Sequence, residues 1–253
     1  MTDKKTIALI TGGGSGIGLA TARLFTNKGF KVILAGRDRD RLQAACDHLP
    51  GTIALPLDVT DSAAVTLAFS NLASQAQTPD ILVNNAGAAK TAPFHRISVA
   101  DWQAALDVNL TGAFLCTQAV LPTMKKAGYG RIITVASTAG LKGYAYTAAY
   151  TAAKHGVIGM TRALALEIAG SGVTANTVCP GFTDTDIVRK SIDNIVEKTG
   201  RSTDDAMHEL TRHNPAGRLI RPEEVADAIY WLARPEADAM NGQAIAVAGG
   251  EVM

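Results

Sequence analysis

The sequence predicts an α/β fold in which a doubly wound parallel sheet carries helices on both faces. Short apolar segments recur between segments of helical spacing, and strands buried on both faces are typically continuous apolar runs. A glycine-rich turn follows the first apolar segment directly and opens a helical segment, as in doubly wound folds. No linker rich in Pro, Gly or Ser divides the 253 residues, so we expect a single domain over 1–253.

The alternation of elements can be followed along the whole chain. The predicted strands are Ile7–Ile10, Val32–Ala35, Ile53–Leu57, Ile81–Asn84, Ile132–Ala136, Thr174–Val178 and Ala244–Val247. Residues 183–215 differ, because they are polar and only weakly periodic, with predicted helices at Ser191–Arg201 and Thr203–Arg212. We expect this segment to be a substrate lid, and the alternative is a solvated pair of surface helices.

The glycine turn follows the first strand with the spacing Thr-Gly-x-x-x-Gly-x-Gly. It includes Gly12, Ser15, Gly16, Ile17 and Gly18. Glycines let the backbone approach a ligand closely, and the free N–H groups of a helix start suit a pyrophosphate. The strand that follows completes a βαβ unit, which predicts a Rossmann-like dinucleotide-binding site.

A second pattern supplies acid–base chemistry. Tyr150 and Lys154 lie four residues apart, which places them on one face of a helix, and Ser137 lies thirteen residues before Tyr150. A free tyrosine has a pKa of about 10, and an adjacent cation favours the phenolate and lowers that pKa. With the serine holding a substrate oxygen, the trio could move a proton on or off a carbonyl or alcohol.

The glycine spacing and the Tyr150-x-x-x-Lys154 pair together resemble the short-chain dehydrogenase/reductase family over nearly the whole chain. Asp58 and Val59, the run Asn85-Ala86-Gly87, Asn109, Pro180-Gly181, Thr183 and Thr185 match further motifs of that family. The resemblance implies that Asn109, Ser137, Tyr150 and Lys154 are catalytic, with Asn109 anchoring a water beside Lys154. It implies that the glycine turn and the remaining motif residues, together with Tyr150 and Lys154, bind a nicotinamide dinucleotide.

The end of the second strand bears on the choice of cofactor. Gly36 stands where an acidic residue would bind a ribose 2′-hydroxyl, and Arg37 follows it. A guanidinium can grip a 2′-phosphate, which favours NADP(H), although Asp38 could neutralise Arg37 and Ser15 is not the cation common in NADP(H)-using relatives. NAD(H) therefore stays possible.

The resemblance implies that the substrate is a small carbonyl or alcohol compound. The segments Asn214–Arg218 and Arg221–Ala226 resemble those of 3-oxoacyl thioester and polyketide ketoreductases, so we expect a 3-oxoacyl reductase. A rim of cations could hold the phosphates of a carrier, and its candidates are Lys90, Arg96, Lys142, Arg189 and Lys190. Two alternatives stay open: an NAD-dependent secondary-alcohol dehydrogenase and a non-catalytic NADP(H) sensor.

Bulk properties exclude several other classes. The net charge of +1 gives no electrostatic case for nucleic acid or an anionic membrane. The three cysteines have no metal-ligand spacing and suit a reducing compartment. We expect a cytoplasmic protein, since the start leaves no room for a signal peptide and no apolar stretch approaches the roughly 20 residues of a membrane helix.

Two helical segments look too apolar for solvent. Small residues crowd 145–169, and an apolar stripe follows 113–124. Together with the family resemblance, they predict paired helices in a homotetramer or a homodimer. The last five residues, from Gly249 to Met253, could complete a second interface.

Overall fold

The predicted doubly wound sheet is confirmed. The computed structural model describes residues 5–212 and 214–253, apart from the side chains of Ile187, Asn194, Ile195 and Lys198. Its strands are β1 (Ile7–Thr11), β2 (Lys31–Gly36), β3 (Thr52–Pro56), β4 (Ile81–Asn84), β5 (Gly130–Val135), β6 (Val173–Pro180) and β7 (Ala244–Val247). They form one seven-stranded sheet in the order β3-β2-β1-β4-β5-β6-β7, and each neighbouring pair is parallel.

The helices alternate with the strands. They are α1 (Gly16–Asn27), α2 (Arg39–Asp47), α3 (Ser62–Ser74), α4 (Val99–Leu106), α5 (Gly112–Ala127), α6 (Ala148–Glu167), α7 (Asp186–Thr199), α8 (Thr203–Thr211) and α9 (Pro222–Ala233). A π-helical turn at Asp107–Thr111 joins α4 to α5. We predicted a helix from Ala145 for α6, but it begins at Ala148, because Tyr146 has a left-handed backbone with φ of 67°.

Both faces of the sheet are covered, because successive strand residues point to opposite sides. In β1, Ala8 and Ile10 pack with α1, α2 and α9, while Ile7 and Leu9 pack on the side of α3 and α5. Burial on both faces explains why central strands such as β1 and β4 are almost continuously apolar, whereas the edge strands β3 and β7 are only partly buried.

The strand order reverses between β1 and β4. The chain winds outward from β1 through β2 to β3, and then returns to place β4 on the other side of β1. Parallel strands end at one edge, and the crevice at such a reversal is where doubly wound sheets bind ligands. The glycine turn after β1 and the Asn-Asn-Ala-Gly run after β4 therefore meet there.

The segment 183–215 departs from its predicted boundaries. Its first helix begins at Asp186 rather than Ser191, because Thr185 is extended and Asp186 places a carboxylate in the first turn. Its second helix starts at Thr203 as predicted. Val188, Ile192 and Ala206 form an apolar cluster of their own between these helices, and residue 213 lies outside the described residues.

The expectation that no apolar stretch approaches a membrane span was wrong on length and composition. The continuous helix Val99–Ala127 has 29 residues, and its most apolar window has a mean hydropathy of 1.3 with 33% buried. This helix packs on α3, α6, β4 and β5. Because a core helix of a soluble protein meets the same criteria, it carries no membrane assignment.

Candidate active site

The glycine turn folds tightly back on itself at the end of β1. Gly16 has a φ of +50°, a left-handed conformation that glycine adopts without strain. A Cβ on Gly18 would lie 2.4 Å from the Gly12 carbonyl oxygen, so a side chain there would push the turn open. Ser15 is extended and caps α1 without a side-chain hydrogen bond, while Ile17 is half-buried in the first turn. The turn therefore keeps a backbone-lined cradle at the start of a helix.

The residues that follow β4, Asn85 and Ala86, hold this turn through hydrogen bonds; we call them the asparagine strap. The Asn85 Nδ2 donates to the carbonyl oxygens of Thr11 and Gly12 at 2.9 and 3.2 Å. The backbone N–H groups of Asn85 and Ala86 both donate to the Thr11 hydroxyl at 2.9 Å. We predicted Asn85 and Ala86 as cofactor contacts; the structure shows that their hydrogen bonds join the ends of β1 and β4. Thr11 was missed as a functional residue, although its hydroxyl directly precedes the first glycine.

Arg37 and Asp58 lie at the same end of the site. Hydrogen bonds from the Thr60 N–H and hydroxyl, at 2.9 and 2.8 Å, hold the pKa of Asp58 below its usual range, and the charge of Arg37 acts in the same direction. Arg37 is exposed, whereas Val59 is buried, with its Cγ2 2.7 Å from where a Cβ on Gly112 would lie. A guanidinium is thus available beside Asp58, which is predicted to bind the dinucleotide.

Arg41 is a second guanidinium near the glycine turn that sequence reasoning missed. Its Cγ lies 3.1 Å from where a Cβ on Gly14 would stand, and its Nη1 lies 3.4 Å from Asp186 Oδ2 at the start of α7. Asp38 accepts the Arg41 N–H as the cap of α2 and lies 3.8 Å from the Arg41 Nε. The carboxylate expected to neutralise Arg37 is therefore engaged with Arg41.

Lys154 is a buried charged group at the carboxyl edge of the sheet. Its side chain is 4% exposed, and its Nζ donates to the Val135 carbonyl oxygen at 2.8 Å. Burial lowers the pKa of Lys154 to about 8. The amine is therefore anchored at the end of β5, next to Ser137, as a cation that can lose its proton near neutral pH.

Tyr150 lies over this amine, with the Lys154 Nζ 5.5 Å from its ring centroid. We expected the cation to lower the pKa of the phenol. Instead burial raises the pKa of Tyr150, and the neighbouring Ser137 hydroxyl only partly opposes that rise. The expectation was wrong because enclosure penalises the phenolate more than its surroundings stabilise it. Tyr150 is therefore protonated at neutral pH.

Ser137 reaches the pair from the turn after β5. Its hydroxyl oxygen accepts the Ala139 N–H at 3.1 Å, which fixes the serine at the start of a short 3-10 turn, Thr138–Gly140. A Cβ on Gly140 would lie 2.7 Å from the Lys154 carbonyl oxygen. The glycine thus lets the serine turn pack directly on the helix that carries Tyr150 and Lys154.

Asn109 lies in the π turn between α4 and α5 and is 2% exposed. Its Nδ2 donates to the carbonyl oxygens of Ala88 and Ala105 at 2.8 and 3.0 Å. A Cβ on Gly87 would lie 2.8 Å from the Asn109 Oδ1 and 3.7 Å from the Lys154 Nζ. Gly87 therefore keeps open the space between these two polar groups, where the predicted water would bind.

The loop after β6 closes the site from the other side. The Thr183 hydroxyl donates to the Gly181 carbonyl oxygen at 3.0 Å, just after Pro180, and the Thr185 hydroxyl donates to the Thr183 carbonyl oxygen at 3.2 Å. The Thr185 Cγ2 lies 3.0 Å from where a Cβ on Gly16 would stand. This loop, which is predicted to bind the dinucleotide, thus returns to the glycine turn.

These residues fit a nicotinamide dinucleotide. Tight packing at Gly12 and Gly18 holds the glycine turn against the start of α1, whose free N–H groups suit a pyrophosphate, and the exposed Arg37 follows β2. The buried Tyr150 and Lys154 stand by the loop from Pro180 to Thr185. A cofactor held along this edge would bring its reactive ring to the proton donor.

Three cations proposed for a phosphate rim are instead paired with carboxylates. Lys90 lies 2.7 Å from Asp101, Lys142 lies 3.1 Å from Glu251, and Arg189 lies 3.0 Å from Asp184. Paired cations attract a phosphate far less than free ones. Nothing in the sequence indicated that Glu251 pairs with Lys142, apart from its position after two glycines.

Comparisons with known proteins agree with this geometry. A family model for short chain dehydrogenases matches residues 6–196. The cis-4-hydroxycyclohexanecarboxylate dehydrogenase of Sinomonas cyclohexanicum is 38% identical over 96% of this chain and 95% of its own. The 3-oxoacyl-(acyl-carrier-protein) reductase of Escherichia coli is 36% identical over 98% of this chain and 97% of its own.

Among solved structures, a variant of the actinorhodin polyketide ketoreductase with NADPH superposes with a TM-score of 0.94. It is 34% identical, and the match covers 99% of this chain and 98% of that one. The matched region includes the glycine turn, the asparagine strap and the Ser137, Tyr150 and Lys154 cluster. The chain belongs to the short-chain dehydrogenase/reductase family, and it is an oxidoreductase of carbonyl and alcohol groups.

Proposed function

We propose that this protein reduces a ketone to a secondary alcohol with NADPH. The observation that carries the proposal is the buried Tyr150 and Lys154 pair beside Ser137, at the same sheet edge as the glycine turn. Because burial raises the pKa of Tyr150, the phenol is protonated at neutral pH, as a donor in reduction must be.

The residues divide the proton work between them. When bound, the cofactor supplies the hydride. Ser137 holds the substrate oxygen, and Tyr150 gives it a proton. Lys154 stabilises the phenolate that remains, and Asn109 holds a water through which the proton is replaced from solvent.

NADP(H) is the proposed cofactor because Arg37 is exposed beside Asp58 and Asp38 is turned towards Arg41. A free guanidinium suits a 2′-phosphate. The related ketoreductase solved with NADPH supports the same choice. The NAD(H) alternative predicts a higher kcat/KM with NADH.

The favoured substrate is a 3-oxoacyl thioester, which the relationship to the Escherichia coli reductase supports. The test is purified protein with acetoacetyl-coenzyme A, followed by loss of NADPH absorbance. Turnover that greatly exceeds turnover of simple ketones supports the thioester. Turnover of the thioester that only equals or falls below that of simple ketones favours a smaller substrate.

A smaller ketone or secondary alcohol is a second candidate, and the pairing of Lys90, Lys142 and Arg189 with carboxylates favours it. Of the five predicted rim cations, only Arg96 and Lys190, which are exposed, would be left to bind a carrier phosphate. The relative that is a cyclohexanecarboxylate dehydrogenase supports this class. Cyclic ketones with NADPH and cyclic alcohols with NAD⁺ or NADP⁺ complete the assay panel.

A nucleotide sensor without turnover is the least supported alternative. A sensor does not need a buried lysine anchored at 2.8 Å beside a protonated phenol. Tight NADPH binding without turnover of any ketone or alcohol in the panel would favour the sensor over the reductase.

The assembly we propose is a cytoplasmic homotetramer or homodimer of single-domain chains. Phe114 on α5 and Leu166 on α6 are exposed at 44% and 83%, so each of the two helices predicted to pair presents a large apolar side chain to a partner. Light scattering at micromolar concentration should give a multiple of 26.3 kDa. A species of that single mass alone contradicts the oligomer.

A further inference from the structure

A carboxylate from the end of the chain is buried next to the catalytic edge. The Glu251 side chain is 1% exposed, and its Oε1 accepts a hydrogen bond from the Tyr144 hydroxyl at 2.5 Å and lies 3.1 Å from the Lys142 Nζ. Its Oε2 is also buried and has no hydrogen-bond partner among the described residues. That oxygen lies 3.1 Å from where a Cβ on Gly181 would stand, in the loop after β6.

Two glycines bring the carboxylate to this position. Gly249 and Gly250 have φ values of +61° and +92°, which other residues rarely adopt. A Cβ on Gly249 would overlap the Asn214 Oδ1, and one on Gly250 would lie 3.2 Å from the Pro215 Cγ. The tail after β7 therefore turns tightly against the end of the 183–215 segment and directs Glu251 inward.

The Tyr144 hydroxyl links this carboxylate to the serine turn. It also bonds to the Thr138 hydroxyl at 2.7 Å, and Thr138 directly follows Ser137. The Tyr144 ring lies edge-on to Phe182 with centroids 5.8 Å apart, and the Lys142 Nζ lies 5.0 Å from the ring centroid. One phenol thus contacts the serine turn, the loop after β6 and the chain's tail.

We propose that Glu251 is a positioning residue that fixes the Tyr144 ring as a wall of the substrate pocket, and that it acts through the Tyr144 hydroxyl. A buried carboxylate is costly unless it is paired and hydrogen-bonded. Here its partners are the Tyr144 hydroxyl and the Lys142 ammonium, which is 35% exposed. The hydrogen bond from the hydroxyl therefore fixes the orientation of the Tyr144 ring. The inference rests on the proposed ketone reduction for its kinetic readout only.

The kinetic test compares Glu251→Ala, Glu251→Gln and Tyr144→Phe with wild type. Loss of a charged hydrogen-bond partner should raise the KM for the ketone by about tenfold. The KM for NADPH should rise less than the KM for the ketone, because the glycine turn and Arg37 are not touched. Glu251→Gln keeps an acceptor for the phenol and should rescue most of the loss.

The double variant Tyr144→Phe with Glu251→Ala decides whether the two residues act as one unit. If Glu251 acts through the Tyr144 hydroxyl, the double variant should be no worse than Glu251→Ala alone. If the KM increases of the two single variants multiply in the double variant, Glu251 does not act through the Tyr144 hydroxyl. Glu223→Gln, which removes an exposed carboxylate in the first turn of α9, is the matched control and should behave as wild type.

A measurement that needs no turnover keeps the inference separate from the proposed function. Amide hydrogen exchange in Glu251→Ala should speed up in 138–146 and 181–183 and stay unchanged in the glycine turn. Unchanged exchange in those two loops overturns the inference, whether or not wild type reduces a ketone. A wild-type protein without ketone turnover, with faster exchange in the variant, overturns the proposed function but supports the positioning role of Glu251.

Discussion

The catalytic edge and the segment over it are held by different interactions. At the edge, Lys154 and Asn109 are buried and bonded to backbone carbonyl oxygens of other elements. In the segment 183–215, the described ion pairs lie at the surface; for example, Arg189 and Asp184 are 66% and 47% exposed. The segment has a small apolar cluster around Val188, Ile192 and Ala206, separate from those of the sheet.

This difference indicates that the segment 183–215 can move while the catalytic edge stays folded. Buried polar groups with fixed partners are rigid, and breaking them is costly. Exposed ion pairs are worth about 0–1 kcal/mol each, so the outer segment can open at low cost. We therefore propose that Tyr150, Lys154 and Asn109 form a rigid proton relay and that the segment 183–215 is a lid that moves over it.

The largest effect is expected at the relay itself. Tyr150→Phe removes the proton donor but keeps the ring, so turnover should fall by about 10²–10⁴ while NADPH binding is unchanged. Steady-state kinetics and fluorescence titration with NADPH measure the two properties. Tyr230→Phe, a change of the same kind where the ring packs on Phe25 and Phe30, is the control. Retention of half the activity in the Tyr150 variant would show that the assignment is wrong.

The next effect concerns the cofactor site, which belongs to the rigid region. A Cβ on Gly36 would meet only the Leu42 side chain, at 3.6 Å or more, so Gly36→Asp fits without strain. Its charge should repel a 2′-phosphate and cost about 1.5–3 kcal/mol, or one to two decades in preference for NADPH over NADH.

Gly36→Asn separates charge from size in that experiment. The neutral side chain has nearly the same shape as aspartate, so it should keep most of the preference for NADPH. A wild-type enzyme with a higher kcat/KM for NADH than for NADPH contradicts the cofactor assignment directly.

The pH dependence tests whether Lys154 works as a cation. Burial lowers its pKa to about 8, so the ammonium is present below that pH and is lost above it, while the raised pKa of Tyr150 keeps the phenol protonated. The kcat/KM for ketone reduction should fall about tenfold per pH unit above about 8. Lys154→Arg, whose charge persists, should lose this decline even if its rate is lower. A flat wild-type profile to pH 10 would remove Lys154 from the relay.

Sequence alone predicted the rigid region well because its physical signals are local. Continuous apolar strands, glycines in a tight turn and a Tyr-Lys spacing of four are all visible in one sequence. The placement of Thr11 and Asn85 against each other was not visible, because it depends on two strand ends that are 74 residues apart meeting in the sheet. The raised pKa of Tyr150 was missed for a similar reason, since enclosure by distant segments decides it.

The outer segment was predicted less well. The first helix was placed five residues late, because Asp186 and Val188 gave too weak a periodic signal next to the charged residues that follow. The inward position of Glu251 depends on two left-handed glycines packed against Asn214 and Pro215. Such a tertiary contact between the tail and a segment about 35 residues earlier leaves no trace in local spacing.

The smallest effect is expected where the two regions touch. Arg41, beside the glycine turn, lies 3.4 Å from Asp186 at the start of α7, and both side chains are more than half exposed. Asp186→Asn should change the KM for NADPH by no more than about threefold, because an exposed pair contributes little. Freeing Arg41 should make that change a decrease, since a second guanidinium then becomes available to a phosphate. Asp184→Asn, which removes the partner of Arg189 instead, should leave the KM for NADPH unchanged. A tenfold or larger rise in Asp186→Asn would mean that the lid is held rigidly to the nucleotide site, and the contrast between the two regions would then fail.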